Sequence, residues 1–88
     1  MPTEPPLYKI SFINRGKVYE LFARNVYQGD LLGFIVVEDL RFGGRSHLLV
    51  DPNEEKLKGE FENVKRIFVP MHAVIRIDEV EKQGVAKI

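Results

Sequence analysis

Two histidines, two serines and a few clustered carboxylates are the side chains of this 88-residue chain best placed to do chemistry. Their spacing speaks against most of it. His47 stands in an alternating apolar run, and His72 follows Pro70-Met71 at a turn. There is no cysteine and no His-Glu-x-x-His pattern. A metal site would therefore need His47, His72 and a carboxylate to converge from three distant segments, and structural histidines are the simpler reading. Ser46 precedes His47 directly, but neighbours on a strand point to opposite faces, so the pair is no nucleophile and base. Phe42-Gly43-Gly44-Arg45 carries two glycines that a hairpin turn explains, and no phosphate-cradling loop is present. Paired carboxylates can act as acid and base across a substrate. Glu54-Glu55 and the Asp78, Glu79, Glu81 cluster read as solvated faces. Glu38-Asp39 interrupts an apolar run and would aim one carboxylate toward the Phe34 face; a bulge turning both outward is the simpler account. Glu20 could pair with Arg24 or Arg76 if buried, and exposure is simpler. No catalytic, metal-binding or cofactor-binding residue is assigned, and no cofactor is implied.

Surface recognition is better supplied. Tyr8, Tyr19 and Tyr27 are candidate exposed aromatics, with Arg24, Arg41 and Arg45 as the basic residues among and after them. Aromatics at strand spacing are more often core, but Arg24 with Tyr27 stands in a predicted connection that can display both. The candidate interaction residues are Arg24, Tyr27, Arg41, Arg45 and His72. Charge bears on the partner. Lys plus Arg is 13 and Asp plus Glu is 13, so net charge is zero. Neither half of the chain is a basic arm, whereas binding to nucleic acid is driven by neutralising phosphates.

These residues must be held by elements that the hydropathy pattern marks out. Residues 1–6, with three prolines, read as a disordered lead. Leu7–Ile13 alternates, with Tyr8, Ile10 and Phe12 on one face. Asn14-Arg15-Gly16 turns it into a second strand, Lys17–Ala23, and the two make a hairpin. Residues 24–31 read as a connection. A long apolar strand runs from about Leu32 to Phe42, apolar on both faces in its middle, which calls for a central or strongly curved strand. Gly43-Gly44 closes a hairpin onto residues 46–50. Asp51-Pro52-Asn53-Glu54 is a helix start: Asp51 caps, Pro52 takes the first helical position, and Glu54 stands where it can reach back in a capping box. Leu57, Phe61 and Val64 form a narrow apolar stripe, and Gly59 weakens the helix beyond its second turn. Residues 65–69 and 73–80 are strands separated by Pro70-Met71-His72, and residues 83–88 read as a fraying tail.

The sum is about six strands and one short helix between the fourth and fifth, in a single β-rich domain over residues 7–82. Closure into a small antiparallel barrel would protect the edge strands. The turn before the last strand is similar to the helical turn that precedes the closing strand of SH3-like and Sm-like barrels. The expected fold is therefore mainly β, an SH3-like or Sm-like barrel, with an α+β open antiparallel sheet and one packed helix as the alternative. No apolar run approaches the roughly 20 residues that span a bilayer. The start lacks a basic stretch followed by an apolar one, so a cytoplasmic location is expected.

Several blocks resemble a known family. They are Gly16-Lys17-Val18-Tyr19-Glu20-Leu21-Phe22-Ala23-Arg24, Gly33-Phe34, Val50-Asp51-Pro52-Asn53-Glu54-Glu55-Lys56-Leu57, Glu60-Phe61, and the run from Val69 to Lys82. They look like the small bacterial proteins catalogued as domain of unknown function 1820, widespread in proteobacteria. The resemblance covers nearly the whole chain from Leu7, leaving out the first six residues and the final few. It implies a free-standing cytoplasmic domain and brings no activity, cofactor or catalytic residue.

A non-enzymatic interaction domain binding a protein partner or itself is the leading expectation. An RNA- or DNA-binding small barrel is the alternative, and a small-ligand or catalytic role, at a pocket lined by Glu38 or His72, is the third.

Overall fold

The computed structural model describes residues 5–43 and 50–88. Five strands form one antiparallel sheet: β1 (Leu7–Asn14), β2 (Lys17–Gln28), β3 (Phe34–Arg41), β4 (Arg66–Pro70) and β5 (Val74–Val80), in the order β4-β3-β2-β1-β5. One α-helix, α1 (Pro52–Glu60), lies between β3 and β4 in the chain. A single 3-10 turn, Met71–Ala73, leads from β4 into β5.

Local chemistry explains most of these elements. The β1–β2 hairpin closes through Arg15 and Gly16, both at positive φ, the left-handed pair that matches the twist of a two-residue turn. Asp51 caps α1 as expected, its Oδ1 accepting the N–H groups of Asn53 and Glu54 at 2.9 and 3.1 Å. The helix stops at Glu60, soon after Gly59. Leu57 and Phe61 reach the core, whereas Val64 lies exposed beyond the helix end.

The core sits between α1 and the inner face of the sheet, built from Ile10, Phe12, Tyr19, Leu21, Ala23, Val37, Leu57 and Val69. Tyr19 stacks on Phe12 with ring centroids 5.3 Å apart and meets Phe61 edge-on at 6.3 Å. The apolar residues of β3 do not keep strict alternation. Ile35 and Val37 face the core, and so do Leu40 and Phe42. The extra step falls at Asp39, whose φ is +59°. On β2 the matching step lies between Ala23 and Val26, and Arg24 and Asp39 drop out of the pairing. The sheet thus turns its faces over at that point, so β3 can be apolar on both sides.

The sheet is not closed, and the expected barrel is corrected to an open sheet. β4 and β5 are its two edges. The 3-10 turn carries the chain from one edge to the other, and β5 then pairs with β1 rather than with β4. A register shift between Ser11 and Phe12 sets Val74, not Ile75, opposite Phe12, and leaves Ile75 exposed. The expected connection at 24–31 is also corrected: residues 24–28 belong to β2, because β3 supplies ladder partners for Asn25, Val26, Tyr27 and Gln28. The strand expected at 46–50 falls outside the described residues except for Val50, which is exposed and in no strand.

The C-terminal segment, expected to fray, is docked. Glu20 and Lys87 exchange both backbone hydrogen bonds, at 2.7 and 3.0 Å, on the stretch of β2 that β3 leaves unpaired. Ala86 is 1% exposed. Gly84 passes so close to Phe22 that an added Cβ would lie 3.0 Å from its ring. Glu54 also ties the tail down. It does not close a capping box. Its carboxylate is buried and accepts the N–H of Ala86 at 3.0 Å and that of Gly43 at 3.3 Å.

Candidate functional site

The sheet face turned away from α1 carries two rows of side chains across β2, β3 and β4. Cross-strand register puts Asn25 opposite Glu38 and Glu38 opposite Arg66 in one row, and Tyr27 opposite Val36 and Val36 opposite Phe68 in the next. Neighbouring strands are about 4.8 Å apart, so each row places three side chains within about 10 Å.

The first row is a polar clamp centred on Glu38. Arg66 donates from Nε to its Oε2 at 2.6 Å, Asn25 donates to Oε1 at 2.8 Å, and the Tyr27 hydroxyl donates to Oε2 at 3.0 Å. The Arg66 hydrogen bond, followed by that of Tyr27, holds the Glu38 carboxyl below its ordinary value. The same hydrogen bond to Glu38 pushes the Tyr27 phenol up. The carboxylate is satisfied and its charge matched, an arrangement that orients Tyr27 and Arg66 rather than activating an acid or base.

The second row is apolar. Tyr27 is 40% and Phe68 47% exposed, while Val36 between them is 2% exposed although it lies on the outer face. Gly29 closes against this row: a Cβ there would fall 2.9 Å from Val36 Cγ2 and 3.4 Å from the Tyr27 ring. The groove so formed is lined by Tyr27, Gly29, Leu31, Val36 and Phe68, with Asp30 and Arg66 at its ends. Leu31, Leu32 and Met71 are also exposed large apolar side chains.

The residues singled out in the sequence do not gather into one site. Arg24 donates to the carbonyl of Pro5 at 2.7 Å, which ties down the end of the N-terminal lead. Arg41 pairs with Asp39 at 2.9 Å. Tyr27 joins the Glu38 clamp. His72 is exposed on the 3-10 turn. Arg45, His47 and Ser46 lie outside the described residues. Glu20 pairs with Lys87 at 3.7 Å, not with Arg24 or Arg76. Phe68, Val36, Arg66 and Asp30 were missed. Val36 and Phe68 read simply as strand residues, and only the register across three strands shows that they share a face with Tyr27. A second polar device, the Tyr19 hydroxyl donating to Glu60 at 3.0 Å, ties β2 to the end of α1. Burial pushes the Tyr19 phenol up, and the Glu60 hydrogen bond adds to the shift. Among the described residues no three His, Asp or Glu side chains lie together as a metal site would need. No helix among them is long and apolar enough to cross a membrane.

Fold and face together define a small, mainly β domain: one five-stranded antiparallel sheet with a single helix on one side and an aromatic row on the other. The chain belongs to the family described as domain of unknown function (DUF1820), whose model matches residues 6–88. The match runs through the docked tail to the last residue, further than the resemblance read from the sequence. No curated protein and no solved structure matches the chain.

Proposed function

We propose that this protein is a non-enzymatic docking domain that binds another protein chain through the outer face of β2, β3 and β4. The observation that carries the reading is the Tyr27–Val36–Phe68 row, two part-exposed aromatic rings held in register beside the Glu38 clamp. Tyrosine and phenylalanine supply large contact areas at low entropic cost, and a phenol already hydrogen-bonded to Glu38 is pre-oriented for a partner. Protein is favoured over nucleic acid because two of the described arginines of this region are already engaged, Arg24 by a backbone carbonyl and Arg41 by Asp39, which leaves only the outer edge of Arg66 to face a ligand. A phosphate backbone needs a run of uncompensated cations. The 3-10 turn before the last strand is the feature shared with SH3-like and Sm-like barrels, and we read the open sheet as related to that architecture. With a cysteine-free composition, we place the domain in the cytoplasm.

The test is capture of interacting proteins from the source cells by the tagged full chain and by two variants of matched fold. Tyr27→Ala with Phe68→Ala alters the proposed face, and Val18→Ser alters an exposed apolar position elsewhere on the sheet. Loss of a saturable, stoichiometric partner in the first variant alone is expected. A partner retained by the double variant, or lost equally in both, overturns the reading.

A further inference from the structure

The groove on the outer face is self-complementary, and we propose that its occupant is a second copy of this chain, docked face to face about a twofold axis. This inference rests on the docking reading above and names the partner. The apolar floor is Tyr27, Val36 and Phe68, flanked by Asp30 beyond β2 and, on β4, by Arg66, which shares its charge with Glu38 but, among the described residues, keeps its Nη edge free to donate to a second carboxylate. These two flanks lie diagonally across Val36. Arg66 belongs to the row of Glu38, whereas Asp30 lies past Gln28 in the turn that follows β2, on the other side of the aromatic row. A twofold axis in the plane of the interface, perpendicular to that diagonal, brings Asp30 of each copy over Arg66 of the other. One rotation therefore makes both ion pairs, as an isologous contact requires, and sets the aromatic rows against each other.

The charges are available for it. Arg66 is held to Glu38 through Nε, and its terminal Nη groups have no partner among the described residues. Asp30 has none among them either, and it is exposed. The whole chain has no net charge to oppose association. Two apolar faces that each leave an aromatic pair part-exposed gain by covering one another, and the ion pairs at the rim set the orientation.

The experiment is sedimentation velocity with light scattering over about 1 µM to 1 mM, the range in which weak dimers form. Wild type is compared with Phe68→Glu, Asp30→Lys and Arg66→Glu, each checked for native circular dichroism. A concentration-dependent dimer is expected for wild type. Phe68→Glu removes it. Asp30→Lys sets Lys against Arg at both ends, and Arg66→Glu sets Glu against Asp, so each alone weakens the dimer by ~100-fold or more. An equimolar mixture of these two variants pairs Lys with Glu at one end and Arg with Asp at the other, and forms the heterodimer. A wild-type monomer throughout, a dimer indifferent to Phe68→Glu, or no recovery in the mixture overturns the proposal. The docking reading is tested separately: if wild type is monomeric while the Tyr27 and Phe68 double variant still loses a different captured protein, the docking face stands and only the self-pairing is wrong.

Discussion

Replacing Glu54 should detach the C-terminal segment, and the geometry sets the size of the effect. Its buried carboxylate accepts from Ala86 N–H at 3.0 Å and from Gly43 N–H at 3.3 Å. A hydrogen bond to a charged group contributes about 1.5–3 kcal/mol, and a buried donor left unpaired adds its own desolvation cost. The Ala86 bond is short and buried, so it takes about 2 kcal/mol of this, and the longer, part-buried Gly43 bond about 1 kcal/mol. Glu54→Ala should therefore destabilise the fold by about 3 kcal/mol, and Glu54→Gln, which keeps one acceptor oxygen, by about half of that. Both Glu54 and Glu55 lie in the first turn of α1. Glu55→Ala loses only a favourable charge at the helix start, about 0.5 kcal/mol, and so isolates that contribution. Urea unfolding gives the free energies, and hydrogen exchange gives the location: the Ala86 and Lys87 amides should lose protection in Glu54→Ala before the amides of β1 and β2 do. If Glu54→Ala falls within ~0.5 kcal/mol of Glu55→Ala and Lys87 stays protected, the carboxylate is not what holds the tail.

Three further outcomes follow from the same geometry. Glu38 is held below its ordinary value of 4.5, first by Arg66 and then by Tyr27, so the stability it contributes is present above the unfolded value and is lost as pH falls through the lower folded one. Acid titration of stability should accordingly be shallower below pH 4.5 in Glu38→Gln than in wild type, and identical slopes would refute the clamp. Tyr19 is pushed above its ordinary value of 10.0 by burial and by Glu60, so ionisation followed by tyrosinate absorbance should start earlier in Glu60→Gln than in wild type. An unchanged curve would mean that the Tyr19–Glu60 contact carries no weight. Asp51→Ala removes the cap on α1 and should cost about 1 kcal/mol in urea unfolding, with Asp51→Asn close to wild type.

Much of the molecule is local, and local chemistry was legible in the amino-acid order. Alternation in Leu7–Ile13 and Lys17–Ala23, with Gly16 between them, dictates the β1–β2 hairpin whatever surrounds it. Asp51 and Pro52 start α1 because an unpaired helix end needs an acceptor side chain and tolerates a missing donor. Pro70 ends a strand because it has no N–H for the ladder, and the strand after the 3-10 turn begins at Val74, one residue later than expected. The doubly apolar middle of β3 announced an unusual strand, and the positive φ at Asp39 supplies the reason.

The remainder depends on groups far apart in the chain. An open sheet and a closed barrel share the same strands and turns, and differ only in whether β4 meets β5 or leaves both as edges. Glu54 reads as a capping-box residue from its own segment, and only the arrival of Ala86, 32 residues on, turns its carboxylate into a buried acceptor. Lys87 finds a strand partner because β3 ends short of Glu20, a vacancy that no alternation of residues 83–88 foretells. Tyr27, Val36 and Phe68 become one surface through the registers of two ladders, and a shift of one residue in either would send a ring to the opposite face. The first hairpin, the helix cap and the alternating cores of the strands were readable from the amino-acid order, because those energies are set within a few residues. The tertiary structure alone decided which faces met, which edges stayed open and where the aromatic row was displayed, because those follow from pairings between segments that are distant along the chain.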